Sequence, residues 1–162
     1  MAVLPIRILP DSVLRQKAKR VRTIDGSIRK LIADMLETMH ADPGRVGLAA
    51  PQIGVSLRVI VIGIPEQEDI VLINPQIARR KGERQVGEGC LSIPGYTGEI
   101  WRSESVTVKG QDRDGKEIRI KADRLLAQAL EHELDHLNGM LYIDHLDGMD
   151  KLHKIEPEEI EP

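Results

Sequence analysis

The chain contains no phenylalanine, one tryptophan (Trp101) and two tyrosines (Tyr96 and Tyr142). Its core must therefore be built from Leu, Ile, Val, Met and Ala. The same scarcity argues against the single-strand nucleic-acid modules that stack bases on aromatic platforms. Cysteine is almost missing as well: Cys90 stands alone, so no intrachain disulfide can form. A lone cysteine fits a reducing compartment, and its sulfur is free to act as a ligand or nucleophile. No apolar run approaches the roughly 20 residues a membrane helix needs. Pro5, Arg7 and Pro10 interrupt the N-terminus where a secretory signal would carry its apolar stretch. The expected location is the cytoplasm, with no membrane contact.

What is present describes an ordinary globular chain. At 162 residues, 41% hydrophobic and 30% charged, it is expected to form one catalytic domain over residues 1–162, with about 146–162 a charged, frayed tail. The net charge of −3 creates no global basic field, so no sequence-specific nucleic-acid binding is expected. The charge is uneven, however: residues 1–30 hold eight Lys or Arg against Asp11 and Asp25. Solvated faces are the ordinary explanation. A contact with the ribosome through this segment, or through Arg79, Arg80, Lys81 and Arg84, is the sharper one.

Hydrophobic spacing predicts a helix over about Gly26–His40, where Ile28, Leu31, Ile32, Met35, Leu36 and Met39 form one stripe. Strands are expected at Leu57–Gly63 and at "DIVLINP", the latter closed by Pro75. Alternating residues on either side of "DRDG" predict a hairpin. A late helix is expected over about Asp123–Asn138, with Asp123 as N-cap and Gly139 just past its end. The fold class that follows is α+β, with mostly antiparallel strands around a C-terminal metal-binding helix and an N-terminal amphipathic helix.

That late helix carries H-E-x-x-H as His132, Glu133 and His136. Helical residues four apart lie about 40° apart around the axis and about 6 Å apart along it. Both imidazoles can thus converge on one point, with Glu133 one step round, able to reach a water there without being a ligand. Leu125, Gln128 and Ala129 extend the same stripe backward as a mostly apolar, inward-looking face. Two unpaired imidazoles buried there would be costly, and a metal removes that cost.

Two histidines do not complete a catalytic site. The metzincin pattern continues to a glycine, matched by Gly139, and then to a histidine, where this chain has Tyr142. Asp144, His145 and His153 remain as downstream candidates, and one alternative is a zinc endopeptidase with His145 or another downstream residue as third ligand. Upstream, Cys90 in "GEGCLSIPGYTG" offers a thiolate. Cys with two His and one open position is a catalytic rather than a closed structural arrangement.

Three segments together resemble peptide deformylase: "VGLAAPQIG" at Val46–Gly54, "EGCLS" at Glu88–Ser92 and "HELDH" at His132–His136. They occur in the family's order and spacing, with one departure, Arg45 in place of a glycine. The resemblance implies that Cys90, His132 and His136 bind one divalent metal ion, with Fe²⁺ native and Zn²⁺ or Ni²⁺ able to replace it. It implies Glu133 as general base and then acid, and the Gln52 side chain and Leu91 N–H as oxyanion donors. Val46, Gly47, Leu48, Glu88 and Gly89 would border the peptide cleft, with Leu125, Gln128 and Ala129 lining a methionine pocket. Arg102 would pair with Glu88. The implied reaction removes the formyl group from N-formylmethionyl peptides and nascent chains.

Overall fold

The computed structural model describes residues 2–155. Two sheets and two helices make up the fold. Helix α1 spans Gly26–His40 and α2 spans Arg124–Leu137. Strands β1 (Gly47–Ala49), β2 (Val59–Ile62), β3 (Ile70–Lys81), β6 (Ser105–Gln111) and β7 (Glu117–Asp123) form one sheet in the order β1-β2-β3-β6-β7. Strands β4 (Arg84–Cys90), β5 (Ile93–Arg102) and β8 (Leu152–Lys154) form the second, in the order β4-β5-β8. Every pairing between these strands is antiparallel. Among the described residues no helix is long and apolar enough to cross a membrane.

The five-stranded sheet is covered on both faces by its helices. In β2 the side chains alternate: Val59 and Val61 pack with Leu31, Ile32, Met35 and Met39 of α1, while Ile60 and Ile62 pack with Ala127, Leu130 and Leu134 of α2. A strand buried on both sides reads as an unbroken apolar run, which is why "VIVI" shows no polar alternation. Each such aliphatic side chain contributes about 1.5–3 kcal/mol on burial. With no Phe available, the β-branched and methionine side chains fill the space between layers.

Helix α1 begins where expected, with the Asp25 carboxylate accepting from the N–H groups of Ser27 (3.0 Å) and Ile28 (3.2 Å). The α2 boundaries also agree with the expectation to within a residue. Asp123 occupies the N-cap position but its side chain makes no capping bond, and Gly139 takes a φ of 73°. A Cβ at Gly139 would lie 2.7 Å from the Arg15 carbonyl oxygen, so glycine is required there by both conformation and space. Buried Glu131 anchors α2 to the sheet, accepting from Ser103 N at 2.8 Å, Ser103 Oγ at 2.9 Å and Arg80 Nε at 3.0 Å.

Two expectations need correction. Pro75 does not close the strand that holds "DIVLINP": β3 continues to Lys81 through a register shift between Ile73 and Gln76. The irregularity absorbs the missing N–H, and Asn74 steadies it by pairing with both the N–H and the carbonyl of Val21 at 2.8 and 2.9 Å. The tail expected to fray from about 146 instead forms β8, which pairs with β5 through Tyr96, Thr97 and Gly98. Residues 156–162 of that expectation lie outside the described residues.

Candidate active site

Cys90 is the last residue of β4, at a register shift where Gly89 pairs with Thr97 but Cys90 with Ile93. The shift turns the sulfur out of the ladder toward α2. There Cys90 Sγ lies 3.3 Å from His136 Nε2, and the two histidine Nε2 atoms lie 3.2 Å apart. One ligand atom from each of the three residues falls within 4.8 Å of the others. The imidazoles stand edge to face at an interplanar angle of 75°, so both ring nitrogens aim at one point rather than stacking.

This donor set fits a metal. Bonds of about 2.0–2.1 Å to nitrogen and about 2.3 Å to sulfur put tetrahedral ligand atoms roughly 3.3–3.6 Å apart, close to the separations found. A chain of partners orients the ligands. Glu88 Oε2 lies 2.6 Å from His132 Nδ1, and both Glu88 oxygens accept from Arg102, at 3.0 and 2.6 Å. Arg102 also donates to Asp135 Oδ2 at 2.8 Å, and His145 Nε2 lies 2.8 Å from that same oxygen. With Nδ1 engaged by a carboxylate, His132 presents Nε2 as a ligand. His145 is thus committed to Asp135 and stands outside the three-residue cluster, which removes the structural basis for the endopeptidase alternative.

The electrostatics agree. Burial opposes charge on Glu88, but the His132 and Arg102 bonds outweigh it and bring its pKa down to about 2. Burial holds His136 well below its ordinary value, helped by His132, so its ring is neutral. Burial alone would do the same to His132, but Glu133, Cys90 and Glu88 together hold it well above the ordinary range. Those three groups therefore favour positive charge on the His132 side of the cluster. Glu133 is buried, and Oε1 has no hydrogen-bond partner among the described residues. Burial pushes its pKa up to about 7, with the charge of Glu88 adding to the shift against His132.

Gln52 is also buried, in a 3₁₀ turn just after β1. Its Oε1 accepts from Ala49 N at 3.0 Å, which sends Nε2 toward Ser92 Oγ (3.3 Å) and Cys90 Sγ (3.8 Å). Gly47 lies against Glu133: a Cβ there would meet Glu133 Oε2 at 2.7 Å. A cleft of about 460 Å³ opens over these groups.

Of the residues the sequence assigned to the cleft, Val46, Gly47, Glu88, Gly89, Leu125, Gln128 and Ala129 line it, and so does Leu91, expected as an oxyanion donor. Leu48 does not. It points to the opposite side of β1 and is fully buried against α1, because neighbouring strand residues face opposite ways. Leu125 is 44% exposed and Gln128 half-buried, so the start of the backward stripe of α2 faces the open cleft, while Ala129 is buried and also joins the core. Arg45 turns Nη1 onto the Thr38 carbonyl at 2.6 Å, placing a cation at the C-terminal end of α1, where the helix dipole favours it. Sequence reasoning missed Ser92 and the Asp135–His145 link, although both Ser92 and Asp135 lie inside quoted motifs.

A family model described as polypeptide deformylase matches residues 3–152. The chain belongs to the peptide deformylase family. It is 58% identical over 163 aligned positions to a curated peptide deformylase of Dehalococcoides mccartyi (strain CBDB1), an alignment that covers 100% of this chain and 97% of the relative. Among solved structures it is similar to a peptide deformylase from Legionella pneumophila, with a TM-score of 0.88 and 49% identity, covering 93% of this chain and 89% of that one. A peptide deformylase from Synechococcus elongatus in complex with actinonin matches with a TM-score of 0.86 and 43% identity, over 100% of this chain and 92% of that one. The family's enzymes remove the formyl group from N-terminal formylmethionine of nascent proteins, and this chain is such a hydrolase. The deformylase family uses a single metal ion, and Cys90, His132 and His136 are the metal-capable group here.

Proposed function

We propose that Cys90, His132 and His136 hold one divalent ion beside Glu133, and that this set hydrolyses the formyl amide of N-formylmethionyl peptides. The observation that carries the reading is the convergence of the Cys90 sulfur and two imidazole nitrogens next to the buried carboxylate of Glu133, whose Oε1 has no partner among the described residues. When bound, the ion supplies Lewis acidity and makes water a nucleophile near neutral pH. Glu133 accepts the proton of the attacking water and returns it to the departing nitrogen. A pKa raised by burial suits both duties. Gln52 Nε2 and the Leu91 N–H donate to the oxygen that gains charge on the formyl carbon, and the Ala49 N–H keeps the Gln52 amide correctly turned. Gln128 and Ala129, with Leu125 at the rim, bound the space for the methionine side chain.

Fe²⁺ is the proposed native ion, with Zn²⁺ or Ni²⁺ as replacements, because a thiolate and two imidazoles accept all three. The proposed setting is the cytoplasm. For ribosome contact, Arg79 and Lys81 are supported over Arg80: they border a surface groove with Lys121, whereas Arg80 turns back to Glu131. Salt-sensitive cosedimentation with ribosomes, lost on Arg79→Glu, tests that contact.

The deciding experiment is formate release from formyl-Met-Ala by protein purified without oxygen and loaded with a defined metal. Turnover that disappears on chelation and returns with Fe²⁺ is expected. Equal turnover by metal-free protein overturns the assignment.

A further inference from the structure

The family model ends at residue 152, but the wall of the cleft does not. Strand β8 lies along β5 with Leu152 opposite Gly98, His153 opposite Thr97 and Lys154 opposite Tyr96, and Ile155 extends the pairing by donating its N–H to the Gly95 carbonyl at 2.8 Å. This position determines where the Ile155 side chain goes. Strand residues two apart share a face, so Ile155 lies on the same side as His153 and faces the row that contains Gly95 and Thr97. Gly95 has no side chain to occupy that row, and nothing lies within 4 Å of where its Cβ would be. Ile155 borders the cleft that holds Cys90 and Glu133, together with Leu91, Ile93 and Pro94.

We propose that Ile155 is a specificity-determining residue, forming an apolar wall for the side chain of a substrate residue beyond formylmethionine. This rests on the deformylase reading of the site. The scissile formyl group must lie at Cys90, His132 and Glu133, and the methionine beside it at α2. The rest of the peptide then leaves along the remaining cleft, bordered by the start of β5 and the end of β8 on one side and by Gly44–Gly47 on the other. An extended chain advances about 3.3 Å per residue, and adjacent strands are about 4.8 Å apart. From Cys90, opposite Ile93, to Ile155, opposite Gly95, is therefore two strand spacings across and two residues along, about 12 Å, which an extended peptide spans in about three to four residues. Ile155 thus meets the third residue of the substrate rather than the methionine. Leu91, Ile93 and Ile155 present only hydrocarbon, so the favoured side chain there is aliphatic.

The test compares formyl-Met-Ala-Leu with formyl-Met-Ala-Ser, using the full-length, iron-loaded protein. The unaltered protein is expected to have a kcat/KM about threefold or more higher for the leucine peptide, with the difference in KM, as partial burial of one aliphatic side chain allows. Ile155→Ser should bring the ratio close to one, and Ile155→Leu should keep it. A ratio in Ile155→Ser equal to that of the unaltered protein overturns the inference. So does a loss that affects both peptides alike, which would make Ile155 structural only. Failure of every formylated peptide to release formate would instead overturn the deformylase reading itself, so the two outcomes are separable.

Discussion

Glu88 and His132 meet through a 2.6 Å contact between carboxylate and Nδ1, and the same carboxylate is gripped from behind by Arg102. The ring orientation of a proposed ligand therefore depends on an ion pair on the second sheet. Arg102→Leu leaves Glu88 buried without its cation, so affinity for metal is expected to fall about 10–100-fold. Competition with a chelator of known affinity reads this directly. Unchanged affinity would mean that the helix alone aims His132.

Removing the proton carrier should separate chemistry from metal binding. Glu133→Gln is expected to lower kcat by at least about 100-fold while the protein still takes up one equivalent of metal. Formate release combined with elemental analysis checks both halves, and a small loss in kcat would assign the base elsewhere.

Gly47→Ala is a subtler probe of the same carboxylate. The added carbon would sit 2.7 Å from Glu133 Oε2, so the side chain must shift. Lower kcat with a preserved circular dichroism spectrum is the expected outcome. An unaffected rate would show that Glu133 tolerates displacement.

Cys90→Ala and His145→Ala should have different effects. Sulfur is one of three clustered donors, whereas among the described residues His145 bonds to Asp135 and lies outside the cluster. Metal content should collapse in the first variant and persist in the second. Loss of metal in the second alone would restore the endopeptidase reading.

A pH-dependent effect is expected at the N-terminus. The Lys30 ammonium beside Asp34 holds its carboxyl below the usual carboxylate range, and the Ala2 N–H, at 2.8 Å, adds to this. Because the folded pKa is depressed, the stabilisation is fully present above the ordinary value of 3.8 and disappears as pH falls through the folded one. Asp34→Asn should therefore be less stable than the unaltered protein at pH 6, and the gap should close in more acidic buffers. Urea melts at a series of pH values measure it, and a gap independent of pH would contradict the assignment.

Local chemistry was readable from the letters. The i, i+3, i+4 stripe of α1, its Asp25 cap and the H-E-x-x-H face of α2 are short-range patterns, and each is found in the structure. What depended on distant segments was not readable. Pro75 stopped the expected strand because the Asn74–Val21 bonds that carry β3 past it join residues far apart in sequence. The resemblance carried Leu48 into the cleft with its neighbours, and a three-residue strand shows no alternation that would have separated it from them. The Asp135–Arg102–Glu88 chain crosses from the helix to the second sheet, and β8 forms only because β5 offers an edge. The resemblance singled out Cys90 as the third ligand, but only the register shift at Gly89 explains how its sulfur turns inward.

Cys90 belongs to the small sheet, while His132 and His136 belong to a helix seated on the large one. Whatever ion they share is therefore a rivet through the seam between two separately built halves. Stripping it should do more than stop turnover: amide protons along β4 and α2 should exchange faster, and the melting temperature should drop. A chelator would then act on this protein mechanically as well as chemically.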